Sequence, residues 1–205
     1  VPLKETEIGK VPEDWEVVKL GEVIEHILSG DWGIENDNAN FSPCYVLRGT
    51  DFFKVEKGIL EKAPIRYIKN NSIEKRKLLD GDLLVELSGG GPDQPTGRIM
   101  LINERLLKSS KLPIIYSNFV KCLKLKININ SFYFRIYWEY LYQAGKTRIY
   151  EKRTTGLRNF KLQDFLQNEY IPLPPLPVQQ KIASILSAID AKIEAEENKK
   201  QALEE

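Results

Sequence analysis

Few side chains in this sequence are placed to do covalent chemistry. His26 is the only histidine, so a metal site built from several imidazoles is excluded, and a Ser-His-Asp triad would have to use this one residue. A structural or surface role is its plainer reading. A Mg²⁺-dependent nuclease needs clustered carboxylates and a lysine that orients water. Pro92-Asp93 could begin such a set, but no Glu-x-Lys follows at a workable distance. An amino-methyltransferase cradles its base with Asn/Asp-Pro-Pro-aromatic. The Pro174-Pro175 pair here is flanked by Leu173 and Leu176, which offer nothing to an amino group. No glycine-rich S-adenosylmethionine loop stands between a strand and a helix. Gly89-Gly90-Gly91 through Gly97-Arg98 fails as a phosphate loop, because the last glycine is followed by Arg98 and not by Lys-Ser/Thr. None of these enzyme signatures is complete in this sequence.

Two stretches suit binding. Ser88 to Gly97 is the richest in glycine and turn residues. Its ordinary reading is a flexible hairpin tip; its functional reading is a loop entering a DNA groove, with Gln94, Thr96 and Arg98 reaching base edges or phosphates. Lys146 to Lys161 holds six Lys/Arg and one Glu in sixteen residues. A solvated face is the bland reading, and a phosphate-contacting surface the sharper one, because clustered cations release counterions from DNA. Asn159, the cluster's only side-chain amide, suits a base edge or a turn cap. Lys75, Arg76 and Lys77 form a weaker patch. The candidate DNA contacts are Arg48, Thr50, Ser88, Gly90, Gln94, Thr96, Arg98, Lys146, Arg148, Arg153, Thr155, Arg158 and Asn159.

Composition narrows the class. The 205 residues are 42% hydrophobic and 29% charged, with three Trp, nine Tyr and eight Phe, which is enough to fill one sizeable soluble domain. Thirty Lys+Arg against 29 Asp+Glu leave a net charge of +1. A self-sufficient DNA-binding domain is often far more basic, so the near balance counts against tight unassisted DNA binding, while still allowing a local basic face. Cys44 and Cys122 form no CxxC pattern and read as ordinary thiols in a reducing, cytoplasmic setting. No segment approaches the ~18 apolar residues of a membrane span, and the opening Val1-Pro2-Leu3-Lys4-Glu5 is not a signal peptide. A start without Met and an end in mid-helix suggest a fragment.

The elements that would position these residues read as a mixed α/β domain over residues 1–173. Glu16–Gly21, Cys44–Arg48, Ile65–Ile68, Leu83–Leu87, Arg98–Ile102 and Asn118–Leu125 are expected strands, and Ser131–Ala144 an aromatic-rich helix ended by Gly145. Glu22–Leu28 suits one or two helical turns. Residues 171–177 hold four prolines, which block helix, and the junction is placed at 174–177. From Val178 to Glu205 there is neither Gly nor Pro. Ile182, Leu186, Ile189 and Ile193 follow the 4-3-4 spacing of a coiled-coil seam. Such a helix, ~42 Å long, needs a partner helix, from a second copy of the chain or from a longer native chain.

The two ends carry a resemblance. Ile8-Gly9-Lys10-Val11-Pro12-Glu13-Asp14-Trp15 followed by Val18-Lys19-Leu20-Gly21-Glu22-Val23 resembles the start of target-recognition domains in Type I restriction–modification specificity subunits. Ile171-Pro172-Leu173-Pro174-Pro175-Leu176-Pro177-Val178-Gln179-Gln180-Lys181-Ile182 is similar to that family's domain-to-helix junction, with Gln179-Gln180 where Glu-Gln is usual. Gly81-Asp82-Leu83-Leu84 with Gly97-Arg98 fits its central hairpin, and Thr155-Gly156-Leu157-Arg158-Asn159 the approach to its last strand. The resemblance implies a non-catalytic subunit whose two recognition domains each read half of a split double-stranded DNA target. Long antiparallel helices separate those domains and dock methyltransferase subunits that use S-adenosylmethionine. A motor-nuclease subunit brings ATP and Mg²⁺ chemistry, so no cofactor is expected on this chain. One domain and one helix are present, as in half of a longer subunit or a half-subunit that self-pairs. Competing readings are a recognition domain serving a single-polypeptide restriction–methylation enzyme, and a coiled-coil protein with no DNA role, in which Arg148, Arg153 and Arg158 would be replaceable.

Overall fold

The computed structural model describes residues 1–89, 94–154 and 157–204. Its centre is a four-stranded antiparallel sheet with the order β4 (Ile24–Ser29), β11 (Val120–Leu125), β7 (Leu83–Glu86), β9 (Ile99–Leu101). Leu83, Leu84 and Val85 are all fully buried, because both faces of this sheet are covered. Strand alternation then sends them to different cores. Leu83 and Val85, with Leu123 of β11, join the cluster containing Tyr133, Phe134, Trp138, Phe160 and Phe165. Leu84 and Cys122 face the opposite cluster, with Leu47, Phe52, Met100 and Tyr116.

Aromatic residues fill the first core through α4 (Ser131–Gln143) and α6 (Leu162–Asn168). Trp138, fully buried, meets Phe165 at 4.8 Å and Phe160 at 6.2 Å between ring centroids. Asn130 caps α4 by accepting from the Tyr133 N–H at 2.9 Å. Gly145, at φ 76°, takes the left-handed turn that ends it. The helix ties down both ends of the domain. The Trp138 indole N–H donates to the Gly97 carbonyl at 2.8 Å and the Tyr142 hydroxyl to that of Pro95 at 2.9 Å. At the other end the Tyr133 hydroxyl donates to the Pro172 carbonyl at 2.7 Å.

The second core is closed by a smaller sheet, β10 (Ile114–Tyr116), β5 (Phe41–Leu47), β6 (Ile65–Lys69), in which β10 and β5 run parallel. Three short helices border this half: α1 (Phe52–Glu56), α2 (Asn70–Lys75) and α3 (Glu104–Ser109). An early and a late strand meet in a two-stranded antiparallel pairing of β3 (Glu16–Lys19) with β14 (Tyr170–Leu173). An N-terminal hairpin, β1 (Leu3–Thr6) with β2 (Gly9–Pro12), precedes it.

The structure corrects one element. Glu22–Leu28, expected as helical turns, is a 3₁₀ turn at Leu20–Val23 followed by strand β4. Pairing with β11 sets the backbone here, and Ile24 and Ile27 pack against the aromatic core; tertiary pairing overrides a weak local preference. The long helix, α7 (Leu176–Glu204), begins two residues before the expected Val178 and carries Pro177 in its first turn, where a missing N–H costs nothing.

Gln179 is buried at the junction. Its amide donates to the Pro174 carbonyl at 2.9 Å and accepts from the Asn130 N–H at 3.0 Å. Ala183 is buried and Ile182 packs against the domain core. Arg135 of α4 reaches Asp190 of α7 at 4.0 Å.

Candidate nucleic-acid interface

One end of the domain gathers Arg48, Thr50 and Ser88, which the sequence singled out, with a turn that it did not. The turn Arg48–Asp51 after β5, the two-residue β8 (Ser88–Gly89) and the turn Ser117–Phe119 before β11 come together there. Trp32 joins them, and a cleft of about 390 Å³ opens between them. β8 pairs with β13 (Leu157–Phe160), which pairs with β12 (Glu151–Thr154). The basic cluster is thus brought beside the glycine-rich loop, 71 residues away at the Ser88 hydroxyl, which donates to the Asn159 side-chain oxygen.

Two buried carboxylates organise this end. Glu86, 1% exposed at the end of β7, takes a two-pronged bond from Arg98, Nη2 at 2.6 Å and Nε at 2.9 Å. A Cβ added at Gly49 or Gly89 would fall 2.4 or 2.5 Å from the Glu86 carboxylate, so both glycines make room for it. Glu151 of β12 accepts from the Thr96 N–H at 2.7 Å, the Thr96 hydroxyl at 3.1 Å and Arg158 at 3.4 Å. Burial works against the charge of Arg98, but the Glu86 bond outweighs it and holds the guanidinium more firmly protonated than usual.

These bonds redistribute the expected contacts. Thr96, expected to reach DNA, is fully buried and serves Glu151. Arg98 and Arg158, only 18% and 17% exposed, neutralise internal carboxylates. Arg48, Thr50 and Ser88 line the cleft, and Gln94 lies on a neighbouring cleft with Phe53 and Tyr142. Lys146 and Arg148 sit on the short helix α5 (Lys146–Ile149), Lys146 at 3.6 Å from Glu169. Arg153 stands opposite Arg158 in the β12–β13 register. Gly90, Thr155 and the side chain of Arg153 lie outside the described residues.

Sequence reasoning missed Trp32, Asn118 and Phe119 of the cleft. Phe119 is 52% exposed, a consequence of the turn before β11 that a strand expected from Asn118 does not disclose.

The helix-pairing residues divide. Ile182 is used by the domain itself and Leu186 is half-buried, while Ile189 and Ile193 stay exposed in one row with Ile185. Both thiols are buried and unbridged; burial pushes Cys44 up to about 11 and Cys122 up to about 12. Among the described residues no group of three or more His, Cys, Asp or Glu is placed to hold a metal ion. No described helix is long and apolar enough to cross a membrane.

Comparison with known proteins places these features in a lineage. A family model described as the type I restriction modification DNA specificity domain matches residues 12–205. The chain is 31% identical over 220 residues to the type I restriction enzyme MjaIX specificity subunit of Methanocaldococcus jannaschii, covering 98% of this chain and 44% of that protein. It is 28% identical over 222 residues to the MjaVIII specificity subunit of the same organism, covering 98% and 45%. Among solved structures, the HsdS subunit from Thermoanaerobacter tengcongensis superposes with a TM-score of 0.56 at 20% identity, covering 94% of this chain and 41% of that one. A structure of a type I R-M system gives a TM-score of 0.57 at 21% identity, covering 90% and 40%. These two likenesses concern the fold. The chain spans less than half the length of the relatives it matches.

Proposed function

Because the chain belongs to the type I restriction modification DNA specificity domain family, we propose that it reads one half of a split double-stranded DNA target and performs no chemistry itself. The observation that carries this reading is the continuity of the match, from residue 12 through the domain, the proline junction and α7 to residue 205. One recognition domain followed by one long helix corresponds to half of relatives more than twice as long.

In this reading the cleft end meets the DNA, and α7 holds the domain at a fixed distance from a second recognition domain. The exposed row Ile185, Ile189 and Ile193 is the surface for an antiparallel partner helix, from a second copy or from the rest of a longer subunit. The methyltransferase subunits bring S-adenosylmethionine, and a motor-nuclease subunit brings ATP and Mg²⁺. A net charge of +1, with Arg98 and Arg158 already spent on carboxylates, fits a domain that reads bases while partners grip phosphates.

Genome-wide adenine-methylation mapping tests the proposal, in a host expressing the full native gene with its neighbouring methyltransferase gene. A split motif that appears only when this gene is present is the expected result; a palindromic one means two copies of this domain. Absence of any motif, with both proteins soluble and associated, would overturn the reading.

A further inference from the structure

The cleft contains one arginine whose bonding is half complete. The Arg48 guanidinium meets Asp51 side-on, Nε to Oδ2 at 2.9 Å and Nη2 to Oδ1 at 2.9 Å. Asp51, 3% exposed, is itself fixed by accepting the Arg48 backbone N–H at 2.9 Å. One edge of the guanidinium is therefore satisfied and the side chain is held still. Nη1 and the second N–H of Nη2 have no partner among the described residues, and 44% of the side chain is exposed.

Resting on the DNA-recognition reading above, we propose that Arg48 reads a guanine of the target through the two acceptors of its major-groove edge, O6 and N7. A planar fork of donors matches two adjacent acceptors, and a fork already immobilised by a buried carboxylate loses little freedom on binding. The surroundings favour a base over a phosphate. The cleft's formal charges cancel, Arg48 against Asp51 and Glu86 against Arg98, so its pull on an anion is weak. Its walls include the exposed Phe119 ring and Trp32, apolar surfaces that suit base edges and methyl groups. Ser117, also in the lining, keeps a buried hydroxyl without a hydrogen-bond partner. Thr50 and Asn118 supply further donors and acceptors around Arg48.

Binding of the full native subunit, with its methyltransferase partner, to target duplexes tests this. Each guanine is replaced in turn by 7-deazaguanine, which lacks N7. The wild type is expected to lose about tenfold in affinity at one guanine. Arg48→Gln should bind the unmodified target about tenfold more weakly and lose nothing further at that position. Arg48→Lys keeps the charge beside Asp51 but loses the fork, and should behave like Arg48→Gln. An equal loss for target and random duplex, with every 7-deaza penalty retained, would make Arg48 a phosphate contact and overturn the proposal. Unchanged affinity in both variants, or a target with no sensitive guanine, overturns it as well. If the wild type itself shows no target preference, the DNA-recognition reading fails first, before any variant is made.

Discussion

The cleft end and the helix end of this domain use their side chains in opposite ways. At the cleft end, charged residues are built into the fold and satisfy one another: Glu86 with Arg98, Glu151 with Thr96 and Arg158, Asp51 with Arg48. At the helix end, Ile185, Ile189 and Ile193 stand about half exposed. The asymmetry follows from cost. A carboxylate buried without a partner costs several kcal/mol, whereas a half-wetted isoleucine forgoes only part of ~1.5–3 kcal/mol of burial. A domain can leave apolar residues waiting for a partner, but it must complete its buried charges internally. A count of cations in the sequence therefore overstates the charge left free at the surface.

The sharpest challenge to this contrast is Glu86→Ala, which strands Arg98 beside a void at a site 1% exposed. A loss of about 3–5 kcal/mol is expected, read from urea unfolding at pH 7. Adding Arg98→Met should return much of that loss, because removing both partners removes the stranded charge. If Glu86→Ala alone costs less than about 1 kcal/mol, within the range of an exposed pair, the cleft end is not held by its charges.

Gln179→Ala comes next in size. It removes the two buried bonds that tie α7 to Asn130 and Pro174. About 2 kcal/mol is expected, since both backbone partners are left unsatisfied. Gln179→Glu should cost at least as much, because a carboxylate cannot donate to the Pro174 carbonyl. A cost near zero would mean that α7 leaves the domain without an anchor, and that the helix end has no buried polar join.

The contrast also explains what the sequence disclosed. The central strand at Leu83–Leu87 and helix α4 were legible, because continuous apolar runs and aromatic periodicity are local signals; the expected junction at 174–177 overlaps the first turn of α7. That Ser88 and Asn159 would touch, or that Thr96 would be sealed under Glu151, was not. Those contacts join residues 71 and 55 positions apart and depend on β8 pairing with β13. The seam Ile182–Ile193 was legible as apolar spacing, but spacing does not say which residues the chain keeps for itself. Ile182 went to the domain core.

Glu56 gives a smaller test, at the border between the two ends. Burial raises its carboxyl above the ordinary value; Arg135, 3.7 Å away, opposes this and Glu139 adds to it. A carboxyl raised on folding binds its proton more tightly in the folded state. Its stabilising contribution is therefore present below the unfolded value and lost as pH rises through the folded one. Glu56→Gln is expected to raise the urea midpoint slightly at pH 7 relative to wild type, and to lose that advantage near pH 4. Solvent screening keeps the gain small, because 36% of the side chain is exposed. A lower midpoint at pH 7 would mean that the bond to Arg135 dominates, as at the cleft end.

The smallest expected effect on stability is the most informative about the helix. Ile189 and Ile193 are 47% and 53% exposed, so replacing both with Gln should shift the unfolding free energy of the domain by no more than about 0.5 kcal/mol. If α7 pairs through this row, the same change should abolish any concentration-dependent association seen by sedimentation, since it removes the apolar knobs of a short seam. The two readouts separate two roles for one stripe. A stability loss above about 1 kcal/mol with association unchanged would mean that the isoleucines pack on their own domain in solution, and the helix end would then be as self-contained as the cleft end. Unchanged stability with association lost would show residues that the fold does without and a second helix requires.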